Sequence, residues 1–155
     1  MCSIAGYISG NKEQVRLMLN SMVHRAPDDL GIFQDKKLSI GMGRLKIIDL
    51  KSKNLCPFED SDLVLSYNGE IYNYLELRQE LKKLNWKFKT SSDIEVLAKS
   101  WKQWGYKMFD KLNGMFAICI YDKKKDQIIL IRDQVGVKPL YIYEDSNLFA
   151  FSSEI

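Results

Sequence analysis

A chain of 155 residues fits a single domain, and 46% hydrophobic with 28% charged residues is an ordinary globular composition, which excludes a disordered or fibrous protein. The net charge is only +3 and the lysine runs are scattered as solvated surface, so we expect no nucleic acid partner. The three cysteines lack metal-ligand spacing, and there is no signal peptide or long apolar stretch, so we expect no metal site, no membrane partner and a cytoplasmic location.

The first half of the chain shows short runs of strand and helix pattern. Apolar residues at helical spacing predict a first helix, which ends before a polar run. The predicted elements, in chain order, are a strand over Ser3–Ile8 broken by Ser9-Gly10-Asn11, a helix from Lys12 to Val23, paired strands over Gly31–Gln34 and Leu38–Ile48 joined by Asp35-Lys36-Lys37, and a loop through Lys51–Glu59 that leads to a strand over Leu63–Tyr67.

An Asn-Gly pair usually marks a tight hairpin, but Asn68-Gly69 precedes the helical period of Asn73–Leu81. The pair is therefore predicted to lie where a strand changes into a helix. A further helix is predicted to begin at Ser92, which can cap it, with Glu95 three residues on as in a capping box. This helix is predicted to stop at Gly105.

The last third of the chain predicts four strands, over Met115–Asp122, Gln127–Arg132, Leu140–Glu144 and Leu148–Ser152. The first two are apolar without alternation, which is typical of strands buried on both faces. Such strands, together with helices that are apolar on one face only, indicate stacked sheets with the helices outside, an α/β sandwich of more than two layers.

Cys2 is the residue that most strongly indicates a catalytic function. A methionine aminopeptidase generally removes Met1 when the next residue is small, which would leave Cys2 with both a thiol and a free α-amine. The amine has a pKa of about 7.7–8.0 and is partly unprotonated near neutral pH, so it can take a proton. Cys2 would then combine a nucleophile and its base in one residue. The single histidine, His24, is predicted to be structural, because the amine removes the need for an imidazole base.

Seven stretches spread over nearly the whole chain form a recognisable set: Met1–Tyr7, His24–Asp29, Gly43–Asp49, Tyr67–Asn73, Ser92–Glu95, Gly114–Ala117 and Ile131–Tyr141. In this order they resemble the glutaminase domain of class II glutamine amidotransferases, which are N-terminal-nucleophile hydrolases. The resemblance is greatest to the domain of glutamine-hydrolysing asparagine synthetases and of similar amidotransferases of surface-polysaccharide biosynthesis.

The resemblance implies an α+β fold, a four-layer αββα sandwich of two mainly antiparallel sheets flanked by helices. It implies that residues 1–155 form one glutamine amidotransferase type-2 domain, and that a C-terminal synthetase domain is absent from this chain. L-Glutamine is the implied substrate and an ATP-dependent synthetase domain or subunit the implied partner, and a homodimer is also compatible. No cofactor is implied for this domain, because ATP and Mg belong to the synthetase domain, whose acceptor stays open.

The resemblance also implies catalytic roles. Cys2 would attack the side-chain amide of glutamine, form a γ-glutamyl thioester and release ammonia, while its own α-amine moves the protons. The Asn68 side-chain amide and the Gly69 backbone N–H would form the oxyanion hole. On the residues alone, Asn68-Gly69 could equally be an ordinary turn.

Glutamine is a zwitterion, so its recognition requires one cation and one anion. By resemblance, Arg44 would bind the α-carboxylate through its planar fork, and Asp93 would bind the α-ammonium with help from Glu70. On the residues alone, Arg44 could be a strand-end surface residue and Asp93 could merely favour a helix N-terminus. Backbone groups of the segment that would cover the substrate are further candidates, at Leu45, Ile47 and Ile48.

Three residues depart from the usual family pattern: Ser3 and Ala26 stand where the family usually has Gly, and Met42 where it often has His. They motivate a second hypothesis, a catalytically silent regulatory or interaction domain that keeps the fold. A third hypothesis is an N-terminal-cysteine acylase for another amide, against which the pair of Arg44 and Asp93 favours a free amino acid.

Overall fold

The computed structural model describes residues 1–8, 11–53 and 55–155, and over these residues the chain forms nine strands, three α-helices and one 3₁₀ helix. The strands are β1 (Ser3–Ile8), β2 (Asp29–Gln34), β3 (Leu38–Arg44), β4 (Phe58–Glu59), β5 (Leu63–Ile71), β6 (Gly114–Asp122), β7 (Gln127–Arg132), β8 (Tyr141–Glu144) and β9 (Phe149–Ser152). The α-helices are α1 (Lys12–Ser21), α2 (Tyr74–Lys83) and α3 (Asp93–Trp104), and the 3₁₀ helix is Gly105–Lys111. The predicted break after β1 falls on residues 9 and 10, outside the described residues.

Antiparallel pairing joins the strands into two sheets. The first sheet has the order β2-β3-β1-β9-β8 and the second the order β4-β5-β6-β7. β5 contacts both β1 and β3, so the two sheets lie face to face. Ile4, Ile40 and Leu65 belong to one buried core, to which both sheets contribute.

Helices cover the outer faces of both sheets. α1 contacts β1, β2 and β3, and it lies so close to the sheet that a Cβ at Gly41 would come within 2.5 Å of Leu19 Cδ1. On the other side, α2 and α3 pack on each other, and α3 contacts β4 and β5. The predicted α+β fold with four αββα layers is thereby confirmed. None of the described helices is long and apolar enough to cross a membrane.

Several predicted boundaries are wrong. The strand predicted to reach Ile48 ends at Arg44, because the chain turns there and the Arg44 side chain binds the backbone carbonyls of Ile48 and Asp49. The prediction that the strand over Gln127–Arg132 is buried on both faces is also wrong, because β7 is the edge strand of its sheet, partly buried in the middle and exposed at both ends. The short strand β4 lies within the predicted loop. Apart from the strand discussed next, the other boundaries lie within two residues of the prediction.

The Asn-Gly pair does not lie at a strand-to-helix switch. β5 continues through Asn68-Gly69 to Ile71, and α2 begins at Tyr74. The capping prediction for α3 is half right: the Ser92 side chain accepts from the Ile94 backbone N–H.

Glu95 does not complete a capping box with Ser92. Its carboxylate instead accepts the backbone N–H groups of Lys89 and Thr90 and the ammonium of Lys99. Glu95 therefore orders the segment before α3 rather than the cap itself.

Candidate active site

One pocket brings the predicted site residues together. Its wall comes from the N-terminus of the chain, the ends of β3 and β5, the loop after β3 and the first turn of α3. All nine residues predicted to act on or bind glutamine line it: Cys2, Arg44, Leu45, Ile47, Ile48, Asn68, Gly69, Glu70 and Asp93. Residues more than 90 positions apart in sequence therefore share one small volume.

Cys2 lies just before β1 with a half-buried thiol. Its Sγ is 3.9 Å from the backbone oxygen of Leu45, and burial raises the pKa of the thiol. The Arg25 guanidinium donates to the Cys2 carbonyl at 3.4 Å, and the α-ammonium of Met1 donates to the Arg25 carbonyl at 3.0 Å. With Met1 in place, the amine that Cys2 would need as a base is part of a peptide bond.

Asn68 is a fully buried amide in the middle of a strand. Neither its Nδ2 nor its Oδ1 hydrogen-bonds to a described residue, and it faces Ala117 of β6 in register. Among the described residues it is the one pocket-lining side chain with a buried polar atom left unpaired. An unsatisfied buried polar group costs about 1–3 kcal/mol, and strands disfavour Asn, so the amide of Asn68 is available to hydrogen-bond a ligand in the pocket.

Gly69 is fixed by the neighbouring strand. A Cβ on this residue would lie 2.2 Å from the Met115 carbonyl oxygen and 2.7 Å from Phe116 Cα. Both contacts are with backbone, which cannot move aside without breaking the pairing of β5 with β6. The need for glycine here follows from the packing of β5 against β6.

Arg44 is buried and already has protein partners. Its Nη2 donates to the carbonyls of Ile48 at 2.8 Å and Asp49 at 3.0 Å, and its Nη1 donates to the Ser52 carbonyl at 3.5 Å. The side chain thereby folds the 45–52 loop over the end of β3. Its Nε forms no hydrogen bond to a described residue, so part of the guanidinium remains for a ligand.

Asp49 closes the same loop from the other side. Its carboxylate accepts the Ser52 N–H at 2.9 Å, the Ser52 hydroxyl at 2.7 Å and the Ser91 N–H at 2.8 Å. These hydrogen bonds lower the pKa of Asp49 although partial burial opposes them. The loop that carries the backbone of Leu45, Ile47 and Ile48 is therefore tied to the segment before α3.

Two acids give the pocket a negative end. Asp93 is buried in the first turn of α3 and accepts a hydrogen bond from the Tyr67 hydroxyl at 3.0 Å. Burial raises the pKa of Asp93, and burial together with the charge of Asp93 raises the pKa of Glu70. Both shifts mean that the negative charge here lacks a sufficient counter-charge, which a cationic ligand would supply.

Replacing Asp93 by asparagine is expected to raise the melting temperature at neutral pH. Because the pKa of Asp93 is raised in the folded state, the folded protein holds the Asp93 proton to a higher pH than the unfolded chain does. The free energy of unfolding therefore falls as the pH rises from the unfolded-state pKa of Asp93 through its folded-state pKa. An amide has no charge to desolvate and still accepts the Tyr67 hydrogen bond. Thermal unfolding at about pH 7 and at about pH 3 measures this effect. The gain should vanish at the lower pH, and a lower melting temperature than wild type at neutral pH would contradict the argument.

The sequence pointed to neither Tyr67 nor Lys138 as a site residue, yet both line the pocket. Tyr67 reaches Asp93 across 26 positions of sequence, and burial and the Asp93 charge raise the pKa of Tyr67 well above its usual value. Lys138 belongs to the stretch Ile131–Tyr141, which carries part of the family resemblance but to which no site residue was assigned. Only the tertiary structure shows that both side chains lie at the pocket.

Two of the three departures from the family pattern lie away from the pocket. Ser3 and Ala26 pack around Gly43, where a Cβ would lie 2.5 Å from Ser3 Oγ and 2.8 Å from Ala26 Cβ, and neither residue lines the pocket. Met42 does line it, and its carbonyl oxygen lies 2.7 Å from Cys56 Sγ. The hydroxyl of Ser3 therefore does not crowd the pocket.

Comparison with known proteins gives one consistent picture. The whole chain, residues 1–155, matches the family described as "Glutamine amidotransferase domain". A Methanocaldococcus jannaschii protein named as a glutamine-hydrolysing asparagine synthetase is 43% identical, with all of this chain covering 34% of that protein. Asparagine synthetase B (glutamine-hydrolysing) of Escherichia coli K12 is 34% identical, with all of this chain covering 29% of it.

A solved structure, glutamine phosphoribosylpyrophosphate amidotransferase from B. subtilis complexed with ADP and GMP, shares the fold. It superposes with a TM-score of 0.73 at 21% identity, over 98% of this chain and 42% of that one. The chain thus spans about a third of the length of the curated relatives it matches.

Proposed function

The chain belongs to the glutamine amidotransferase domain family, and on that premise we propose that its pocket hydrolyses glutamine to glutamate and ammonia with Cys2 as the nucleophile. One observation carries this assignment: the buried, unpaired amide of Asn68 lines the same pocket as the Cys2 thiol. An unpaired donor beside a nucleophile is what a negatively charged intermediate needs.

The reaction follows from the groups present once Met1 is removed. The α-amine of Cys2 takes the thiol proton, the sulfur attacks the amide carbon, and the oxygen of the tetrahedral intermediate accepts hydrogen bonds from Asn68 Nδ2 and the Gly69 N–H. The protonated amine gives its proton to the leaving nitrogen, so ammonia departs and a γ-glutamyl thioester remains. Water, deprotonated by the same amine, cleaves the thioester and releases glutamate and the thiol.

Charge supports a free amino acid as the substrate. Desolvation raises the pKa values of Asp93 and Glu70 although Lys138 opposes the shift of Glu70, and the α-ammonium of glutamine would add positive charge beside these two carboxylates. Nε of Arg44, together with backbone groups of the 45–48 loop, would hold the α-carboxylate at the other end. An amide without the amino-acid head would leave both ends of the pocket unpaired.

The relatives indicate where the ammonia is used. Two relatives that are covered over about a third of their length are named as glutamine-hydrolysing asparagine synthetases. We therefore infer that the ammonia passes to an ATP-dependent synthetase domain or subunit, with ATP and Mg required there. This chain itself would need no cofactor for hydrolysis.

Removal of Met1 is expected to switch glutamine hydrolysis on. The proposed base exists only when Cys2 is the first residue, so a preparation that keeps Met1 should release glutamate at least about 100-fold more slowly. Intact mass identifies the two forms, and glutamate release measures their rates. Equal rates of glutamate release by the two forms would contradict the role of the α-amine as the base. A processed, folded chain without any hydrolysis would favour the silent-domain hypothesis instead.

A further inference from the structure

Lys138 is a buried cation at the wall of the pocket, and its ammonium forms no ion pair with a described carboxylate. Its side chain lines the pocket, and the residue is only 6% exposed. Among the described residues, its ammonium forms one hydrogen bond, of 3.2 Å to the thioether Sδ of Met1. Buried lysines are normally paired with a carboxylate, so a thioether is a poor partner for this charge.

The backbone around Lys138 is firmly held. Its N–H donates to the Asp133 carboxylate at 3.0 Å, and its carbonyl accepts the Arg132 Nε–H at 2.8 Å. The same carboxylate also accepts the N–H groups of Phe116 and Val137, at 3.1 Å and 2.8 Å. The carboxylate of Asp133 is thus occupied with backbone groups, and it fixes the point from which the lysine side chain starts.

Met1 is the residue that separates Lys138 from the nucleophile. Covalent geometry limits the distance from Met1 Sδ to the Cys2 nitrogen to roughly 6 Å. With 3.2 Å between Sδ and the lysine Nζ, that ammonium lies within roughly 9 Å of the nitrogen that becomes the α-amine. Removal of Met1 takes away the one hydrogen-bond partner that the Lys138 ammonium has among the described residues.

We propose that Lys138 is a positioning residue for Cys2, whose ammonium favours the neutral α-amine and the thiolate in the Met1-free protein. A nearby cation disfavours a second positive charge on the amine and favours a negative charge on the sulfur. Both effects favour the reactive form of Cys2. The inference rests on the proposed function, because it assigns Lys138 to the same nucleophile and base.

Other charged or titratable groups also lie near Cys2 or Lys138. They remain in place in the Lys138 variants, so a change in the titration of Cys2 reports the charge of Lys138. The guanidinium of Arg44 lowers the pKa of the Cys2 thiol, and the carboxylate of Asp93 raises it. Lys138 in turn opposes the rise in the pKa of Glu70, so its charge reaches the pocket. The remaining groups are Arg25, which donates to the Cys2 carbonyl, and Cys56 and Tyr67, whose own pKa values respond to Cys2.

The test is the pH dependence of Cys2 alkylation in the Met1-free chain. Wild type, Lys138→Met and Lys138→Arg are treated with iodoacetamide between about pH 5 and pH 10, and mass spectrometry locates the modified cysteine. The Cys2 sulfur lies roughly 3–4 Å from its own nitrogen, and at an effective dielectric constant near 20 a charge at roughly 9–13 Å shifts a pKa by about one unit. Lys138→Met should therefore move the midpoint for Cys2 upward by about one pH unit, which slows alkylation about tenfold near pH 7, and Lys138→Arg should restore it.

An unchanged midpoint in Lys138→Met would overturn the inference, and so would an equal shift in Lys138→Arg, because a structural role would not depend on charge. Methionine keeps the length of the buried side chain, and Lys138→Gln provides a second neutral variant if Lys138→Met fails to fold. Alkylation requires no glutamine, so the two proposals fail separately. A shifted midpoint without glutamine hydrolysis would sink only the proposed function, whereas hydrolysis without a shift would sink only the role of Lys138.

Discussion

Replacing Cys2 by alanine is expected to abolish glutamine hydrolysis in the Met1-free chain. Among the described residues, the substitution removes the one thiol that lines the pocket. Met42 and Met115, which also line it, carry thioethers that cannot form the thioester. Loss of a nucleophile typically lowers activity by roughly 10⁴-fold or more, because the remaining groups bind and polarise the substrate but cannot attack it. Glutamate release under saturating glutamine is the measurement, with mass spectrometry to establish that the α-amine is free.

Two matched substitutions control for this result. His24 is exposed and contacts the Glu154 carboxylate at 3.1 Å, and Cys56 carries a thiol whose pKa burial raises to about 12. We expect His24→Ala and Cys56→Ala to keep hydrolysis within about twofold, as is usual for a surface change and for the loss of a protonated thiol. Substantial activity in Cys2→Ala, or its loss in a folded His24→Ala, would contradict the assignment of nucleophile and base.

Replacing Asn68 by alanine is expected to lower kcat by about 10²–10³-fold, the usual effect of losing one oxyanion donor. The same change should leave the free energy of unfolding equal or higher, because it removes a buried amide that has no partner among the described residues. Loss of activity with unchanged or raised stability separates a functional amide from a structural one. Steady-state kinetics and thermal unfolding of the same preparation measure the two effects.

Ser66 offers the matched control on the same strand. It is fully buried two residues before Asn68, and it does not line the pocket. Ser66→Ala should leave kcat unchanged, since it alters only packing in the interior. Similar kcat values for wild type and Asn68→Ala would contradict the oxyanion role, as would an equal loss in Ser66→Ala.

Much of the fold follows from local pattern. The helical spacing of apolar residues predicted α1, and Ser92 and Gly105 marked the two ends of α3, because capping depends on neighbours in sequence. The Asn-Gly pair misled because its turn preference is overridden by pairing with β6, which extends β5 to Ile71. β3 ends at Arg44 because the Arg44 side chain donates hydrogen bonds to the backbone carbonyls of Ile48 and Asp49, and an apolar strand pattern does not predict such contacts.

The sequence predicted those site residues that stand in recognisable motifs. Cys2, Asn68 and Asp93 stand in stretches that resemble one family, and the fold brings them to the same pocket. Tyr67 and Lys138 were missed because their contacts, with Asp93 and Met1, join distant parts of the chain. Only the tertiary structure shows that a loop lysine becomes a buried charge.

Labelling with the glutamine-like electrophile diazo-oxo-norleucine tests the central claim most directly. The account predicts one covalent adduct on the Met1-free chain, located at Cys2 and prevented by excess glutamine, and no adduct on a chain that retains Met1. An adduct confined to Cys56, or a processed and folded chain that is never labelled, would contradict it.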